Sequence, residues 1–263
     1  MTNPRRMKQV TRRRMAGRIK WFYYAAPQTF FSLAGRAAPA FYTLAAILGV
    51  IGLYIGFFVA PTDAQQGEGY RIIFLHVPTA WMSMFLYVVM AFWAAIGLAF
   101  NTRLSSMMAQ AIAPTGAWMT FLALWSGALW GKPMWGTWWV WDARLTSELI
   151  LLFLYLGYMA LQSAIEERRT AARAGAVLAL VGVVNIPIIH YSVIWWNTLH
   201  QGPTVTKLGA PSIAISMLIP LLIMTLAYMC YFAAVLLVRA RGEILEQESN
   251  SSWVRELVCG EGD

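Results

Sequence analysis

The chain has 263 residues, of which 59% are hydrophobic and only 12% are charged, and its formal net charge at pH 7 is +8. A soluble globular chain carries about a quarter charged residues, so this composition excludes a soluble domain, a disordered chain and a small disulfide scaffold. The excess of positive charge does not indicate nucleic-acid binding, because no zinc-finger or helix-turn-helix pattern accompanies it. The composition predicts an integral membrane protein.

The N-terminal segment is strongly basic. Nine of the 20 Lys and Arg residues lie between Arg5 and Arg36. Basic residues next to a membrane span set its orientation or contact anionic lipid. We expect residues 1–38 to form a basic cytoplasmic tail, within which the aromatic residues 21–36 lie along the membrane surface.

Six segments are apolar and long enough to cross a bilayer, which takes about 20 residues each. They cover residues 39–60, 79–100, 109–130, 145–164, 174–191 and 212–238. The sequence therefore predicts an all-α integral membrane protein. Residues 39–239 would form a six-helix membrane domain, and residues 240–263 a polar cytoplasmic tail.

The distribution of positive charge predicts the orientation. With the N-terminus in the cytoplasm, the inner segments hold 16 positive residues and the outer segments hold four. This imbalance agrees with the positive-inside rule. We expect both termini to be cytoplasmic and the outer segments to face the periplasm of a bacterial cytoplasmic (inner) membrane.

Three outer segments, residues 69–81, 130–148 and 188–203, are expected to meet on one membrane face. The middle segment, between the third and fourth spans, is rich in tryptophan. If it is helical, Trp135, Trp138, Trp139 and Asp142 share one face. One interpretation is an aromatic belt at the membrane surface, with Asp142 as the N-cap of the fourth helix. The other is an aromatic platform for a large planar ligand, which the density of tryptophan favours.

The histidines favour the second interpretation. His76 and His190 lie at the outer ends of the second and fifth spans, and two neutral imidazoles can hold a haem iron from opposite sides. His200 lies farther along, in a polar loop, and is a weaker candidate to assist in binding. Arg71 and Arg144 could bind the two haem propionates. Alternatively, each arginine is a local structural group, with Glu148 spaced to pair with Arg144.

No phosphate-binding loop of the GxxxxGK[ST] type occurs, so the chain is not expected to hydrolyse nucleotide by itself. No pattern typical of a hydrolase is visible either, and a role in transfer is favoured over enzymatic catalysis. Two other functions remain open at this point. One is a b-type membrane electron carrier, and the other is a transporter of haem or a small solute.

Residues 135–152, WGTWWVWDARLTSELILL, resemble the tryptophan-rich "WWD" signature of haem-handling membrane proteins. Together with FLHVPTAWMS around His76 and the six predicted spans, they resemble the CcmC family of the cytochrome c maturation (CcmABCD) system. The resemblance extends over roughly residues 20–240.

The resemblance implies that haem b binds at the outer face as transient cargo and passes to the haem chaperone CcmE. It also implies an ABC-type complex with the ATPase subunit CcmA, the membrane subunit CcmB and the small protein CcmD. His76 and His190 would be the axial ligands of the iron, and Arg71 and Arg144 would support the propionates. The platform would consist of Trp135, Gly136, Trp138, Trp139, Trp141 and Asp142.

Overall fold

The computed structural model describes residues 26–207 and 209–260, and this part of the chain folds into helices joined by loops. Within those residues the one β-type pairing is an isolated bridge between Asp63 and Gly67. The helices are α1 (Pro27–Tyr54), α2 (Ile73–Phe100), α3 (Arg103–Trp135), α4 (Ala143–Ala164), α5 (Arg168–Gly182), α6 (Asn185–Trp195), α7 (Ile215–Gln247) and α8 (Ser252–Cys259). A π-helical turn, Ile55–Val59, extends α1, and a 3₁₀ turn, Glu68–Ile72, precedes α2.

Six helical stretches are long and apolar enough to cross a membrane, which confirms the predicted all-α fold and number of spans. Helices α1, α2, α3, α4 and α7 provide five of them, and α5 and α6 together provide the fifth in chain order. The orientation of the termini stays a prediction.

The first helix begins at Pro27 rather than near Pro39. Ala26 is extended and Pro27 occupies the first turn, where its missing N–H costs no hydrogen bond. Residues 27–36, which we expected along the membrane surface, are therefore continuous with the first span. Residues 1–25, including the rest of the predicted basic tail, lie outside the described residues.

The fifth span is interrupted between α5 and α6. Pro187 cannot donate to the carbonyl of Val183, and its ring crowds that carbonyl. The backbone forms tight turns here, in which the N–H groups of Val183 and Val184 donate to the carbonyls three residues before them. Two hydrogen bonds then join α6 to α4: Asn185 Nδ2 donates to Ser147 O at 2.9 Å, and an Arg144 N–H donates to Ile189 O at 2.6 Å.

The bundle is held together by close approaches of small residues to large aromatic ones, as is common where lipid supplies no hydrophobic driving force. Helix α1 packs along α7, and α2 packs along α3 and also contacts α5 and α7. Tyr87 of α2 and Tyr155 of α4 are fully buried, with their ring centroids 5.0 Å apart. Gly182 of α5 and Gly116 of α3 lie directly against these two tyrosines.

The connectivity places one set of helix ends together. The N-termini of α2, α4 and α7 and the C-termini of α1, α3 and α6 lie at the end of the bundle that carries the tryptophan-rich segment. We call it the tryptophan end. The other end holds the N-termini of α1, α3 and α5 and the C-termini of α2, α4 and α7.

Gly182→Ala should destabilise the protein by about 1–3 kcal/mol. The new Cβ would overlap the Tyr87 hydroxyl and would force the tightly packed helices apart. The loss can be measured by thermal unfolding in detergent. The double variant Gly182→Ala/Tyr87→Phe should recover part of the stability. Gly49→Ala, at an α1 position where a Cβ meets nothing within 4 Å, is the matched control and should be neutral or slightly stabilising. Equal losses for Gly182→Ala and Gly49→Ala would contradict this packing argument.

Candidate functional site

Two adjoining cavities lie at the tryptophan end. The large cavity, of about 650 Å³, is within the range of about 300–1,000 Å³ typical of small-molecule and cofactor sites. The narrow cavity, of about 60 Å³, lies against the tryptophan-rich segment. The residues that line both are His76, Ala80, Trp130, Arg144 and His200.

His76 lies one turn inside α2 and is only 7% exposed. Its Nδ1 is 2.9 Å from Ser126 Oγ of α3. The Ser126 hydroxyl donates its own proton to Leu122 O at 2.6 Å, so it accepts from Nδ1–H of the histidine. The ring is then a neutral imidazole whose Nε2 carries an unused lone pair, the form in which histidine binds metals.

The packing around His76 requires a glycine on α3. A Cβ at Gly127 would lie 3.1 Å from His76 Cε1, tighter than ordinary van der Waals contact. On another side the ring of Trp130 meets the imidazole edge to face, with the centroids 5.6 Å apart. Trp130 is itself fixed by a hydrogen bond from its Nε1 to Gln66 Oε1 at 3.1 Å. The orientation of His76 is therefore set by residues of α3, one of which is itself held by Gln66.

His200 reaches the same place from the loop after α6. Its ring centroid lies 6.3 Å from that of His76 and 6.4 Å from that of Trp135. Its Nδ1 donates to Gln201 O at 2.8 Å, because a carbonyl can only accept, and this leaves Nε2 with the lone pair. Desolvation, with a smaller contribution from the positive charge of Arg144, lowers the pKa of His200 to about 4. His200 is therefore also a neutral imidazole at physiological pH.

His190 lies on α6 and lines the large cavity but not the narrow one. Its ring packs edge to face on Tyr191, with the centroids 4.8 Å apart. No hydrogen bond to another described residue orients it. The structure thus pairs His76 with His200 more closely than sequence reasoning expected, because the loop after α6 folds back over the cavity. The role of His190 as an axial ligand stays a prediction.

The tryptophan-rich segment is not one helix, so the condition under which Trp135, Trp138, Trp139 and Asp142 would share one helix face is not met. Helix α3 ends at Trp135, and Gly136 follows in the left-handed region with φ 76°, donating its N–H to Lys132 O. Trp135, Trp138 and Trp139 nevertheless all line the narrow cavity, together with Trp130. Trp141 is 78% exposed and lines neither cavity. Gly136 lines neither cavity and ends the helix.

Asp142 is the N-cap of α4, since its Oδ1 accepts from Leu145 N at 2.8 Å. This confirms the structural interpretation of that residue. Its Oδ2 and the Nε1 of Trp139 are both buried without a hydrogen-bond partner among the described residues. Buried polar atoms nearly always have a partner, and a water or another polar group from outside the chain would supply one to each of these two.

Arg144, two residues into α4, lines both cavities. One of its N–H groups holds Ile189 O, and no other hydrogen bond to a described residue occupies its remaining donors. The i, i+4 spacing predicts an ion pair between Arg144 and Glu148. Both side chains are described, and no ion pair within 4.0 Å joins them. Glu148 is instead 6% exposed and accepts from Ser83 Oγ at 2.7 Å.

Arg71 is not brought to either cavity. One N–H group donates to Gly56 O at 2.7 Å and to Ala60 O at 3.0 Å, and Nε donates to Glu68. These bonds satisfy carbonyls at the C-terminal end of the first span, which helix geometry leaves without partners. In this arrangement Arg71 has a structural role, and its predicted contact with a propionate is untested.

The donor set limits which metal could bind. The described residues contain no cluster of three or more His, Cys, Asp or Glu side chains that could hold a metal ion. Two imidazoles are too few for a four-coordinate protein site, but they suffice for a metal that arrives with its own equatorial donors. The aromatic walls and the guanidinium of Arg144 fit a planar, partly apolar ligand that carries carboxylates.

Comparisons with known proteins identify the family of the chain. The family model described as CcmC, heme exporter protein C, matches residues 20–255. A protein named heme exporter protein C from Haemophilus influenzae is 48% identical over 240 residues, 91% of this chain and 98% of that protein. Proteins with the same name from Escherichia coli K12 and Bradyrhizobium diazoefficiens are 48% and 49% identical, covering 90% and 86% of this chain and 96% and 86% of their own lengths.

Asp142→Ala should lower the free energy of unfolding by about 1 kcal/mol, because it removes the side-chain acceptor at the start of α4. Asp142→Asn should retain most of the stability, since an asparagine oxygen caps equally well. Thermal unfolding of the two variants beside the wild type measures the difference. If the asparagine variant lost as much stability as the alanine variant, capping would not be the structural role of Asp142.

Proposed function

This chain belongs to the heme exporter protein C family, and we propose on that basis that it holds haem in the cavities at the tryptophan end and passes it to the chaperone CcmE. Haem is a planar macrocycle that carries its own four nitrogen donors to the iron and two carboxylates at one edge. The proposal rests most directly on one observation: His76 and His200 converge as neutral imidazoles, each with Nδ1 already hydrogen-bonded.

The two imidazoles would occupy the axial positions of the iron. Hydrogen bonds from Nδ1 to Ser126 Oγ and to Gln201 O leave Nε2 as the ligating atom of each ring. Such outer hydrogen bonds orient metal-bound histidines and raise their basicity. Occupation of both axial positions disfavours oxygen chemistry and suits a protein that carries haem rather than uses it.

The second axial ligand is the point at which geometry and the sequence prediction differ. The sequence predicts His190, which lines the large cavity. The structure favours His200, whose ring lies 6.3 Å from His76 and whose orientation is fixed by a hydrogen bond. We therefore propose His76 and His200 as the ligand pair and retain His190 as the alternative.

The remaining groups would hold the macrocycle. Trp130, Trp135, Trp138 and Trp139 provide aromatic surface around the narrow cavity, and Arg144 offers donors to a propionate. The unpartnered Trp139 Nε1 and Asp142 Oδ2 are suited to hydrogen-bond a polar edge or a water that accompanies it.

Transfer to a partner would take place at the membrane surface. The orientation predicted from charge puts the tryptophan end in the periplasm, where CcmE would approach it. Since the sequence has no phosphate-binding loop, ATP would be hydrolysed by the CcmA subunit rather than by this chain. CcmB and CcmD would complete the proposed complex.

The ligand assignment predicts distinct spectra for histidine variants expressed with ample haem and purified. The wild type should show the Soret band of haem with two imidazole ligands. His76→Ala and His200→Ala should each lose or shift that band, because one axial bond is removed. His190→Ala should retain it. Added imidazole should restore the two-imidazole spectrum in the affected variants, which would not happen if they had merely unfolded.

Each possible result decides between the assignments. A spectrum that changes in His190→Ala but not in His200→Ala would make His190 the second ligand. Absence of any Soret band in the wild type under haem-replete expression would overturn the haem-binding proposal itself.

Ser126→Ala should weaken haem binding by about 10–100-fold, the usual effect of removing a group that orients a metal-bound histidine. Haem titration of the purified apoprotein measures this change. Ser163→Ala is the matched control, because that exposed hydroxyl on α4 also returns to its own helix, at Met159 O, but lies outside both cavities. Equal affinities for the two variants would mean that Ser126 does not orient His76.

A further inference from the structure

A third cavity lies at the end of the bundle opposite the tryptophan end. It has a volume of about 370 Å³ and is formed where α2 ends and where α3 and α5 begin, beside the C-terminal end of α7. Its charged lining consists entirely of arginines: Arg103, Arg168, Arg169 and Arg173. We call it the arginine cavity. The haem-handling proposal makes no use of it.

Two of these arginines are neutralised by neighbouring carboxylates. Arg103 pairs with Glu248 at 2.7 Å, and Arg168 pairs with Glu246 at 3.2 Å. Arg169 and Arg173 form no ion pair with any described residue. They are spaced i, i+4 on α5, so both guanidinium groups project from the same face of that helix, the face that Ala172 also presents to the cavity. Two positive charges of the arginine cavity are thus available to an anion.

The backbone adds to this positive potential. Thr102 precedes α3 without capping it, because its hydroxyl donates to Ser105 Oγ instead. The first N–H groups of α3 therefore have no side-chain acceptor, and they begin at Arg103 in the cavity lining. Helix N-termini of this kind bind phosphate and other oxyanions.

The surroundings are those of the membrane boundary. Leu98 lines the arginine cavity and is 40% exposed, and Phe100, two residues farther along α2, is 74% exposed. Both lie in the last turn of the second span, where exposed apolar side chains contact lipid. A ligand here would meet positive charge on one side and a hydrocarbon environment on the other, which matches a phospholipid better than a small soluble anion.

We propose that the arginine cavity binds the headgroup phosphate of an anionic phospholipid. Arg169 and Arg173 contact the phosphate oxygens, with the N-terminus of α3 behind them, and the acyl chains lie along Leu98 and Phe100. Basic pockets between membrane helices are known to select anionic lipids by this combination of charge and location. The site is separate from the haem cavities and lies at the other end of the bundle.

The test compares lipid retention by the full-length protein and by Arg169→Gln/Arg173→Gln. Each is delipidated in neutral detergent and titrated with phosphatidylglycerol or phosphatidylcholine, and lipid adducts are counted by native mass spectrometry. The wild type should retain phosphatidylglycerol in preference to phosphatidylcholine. The double variant should bind phosphatidylglycerol about tenfold or more weakly, because two charges are removed from the phosphate site.

Three controls make the outcome decisive. Arg239→Gln/Arg255→Gln removes the same charge from exposed positions outside the arginine cavity and should retain the lipid as the wild type does. Arg169→Lys/Arg173→Lys should keep most of the binding. Inorganic phosphate at millimolar concentration should not displace phosphatidylglycerol, and displacement would reassign the site to free phosphate.

Equal lipid retention in the cavity variant and the Arg239/Arg255 variant would overturn the proposal. The haem spectrum of the cavity variant should equal that of the wild type. A failure of the lipid proposal is therefore distinguishable from a failure of the haem proposal, which is read from the Soret band alone.

Discussion

The hydrogen bond from His76 Nδ1 to Ser126 Oγ is the interaction around which the tryptophan end is built. It fixes the ring's tautomer, because the Ser126 proton is already committed to Leu122 O and Nδ1 therefore carries the proton of this bond. Gly127 allows the two helices to approach closely enough for the bond to form. A Cβ at this position would lie 3.1 Å from His76 Cε1, so the imidazole would have to shift by a few tenths of an ångström to accommodate it.

The residues that join α4 to α6 have a related role. Arg144 and Asn185 each tie the two helices together through a backbone carbonyl, next to the interruption that Pro187 creates in the fifth span. Arg144 therefore lines both cavities and also joins α4 to α6 beside the interruption of the fifth span. The buried Glu148 takes its hydrogen bond from Ser83, and no hydrogen bond between described side chains joins it to Arg144.

Sequence reasoning predicted the features that depend on local pattern. Hydropathy predicted the six spans, and residue type predicted Asp142 as a helix cap, because both are properties of short segments. It could not predict that the loop after α6 returns His200 to His76, since no periodicity describes an irregular loop. It also left open whether the tryptophan-rich segment is helical, and Gly136 ends the helix there.

The two imidazoles at the tryptophan end, those of His76 and His200, belong to backbone segments of different rigidity. His76 lies within a long helix and packs against α3, including Trp130 of that helix, while His200 lies on an irregular loop whose backbone is held by few hydrogen bonds. Loops of this kind open at lower free energy than packed helices. On the proposed ligand assignment, the two axial bonds would be unequal in mechanical terms, and the loop side would yield first. Such an asymmetry would give release a fixed order: an incoming ligand replaces the loop histidine while the helix histidine still anchors the cargo.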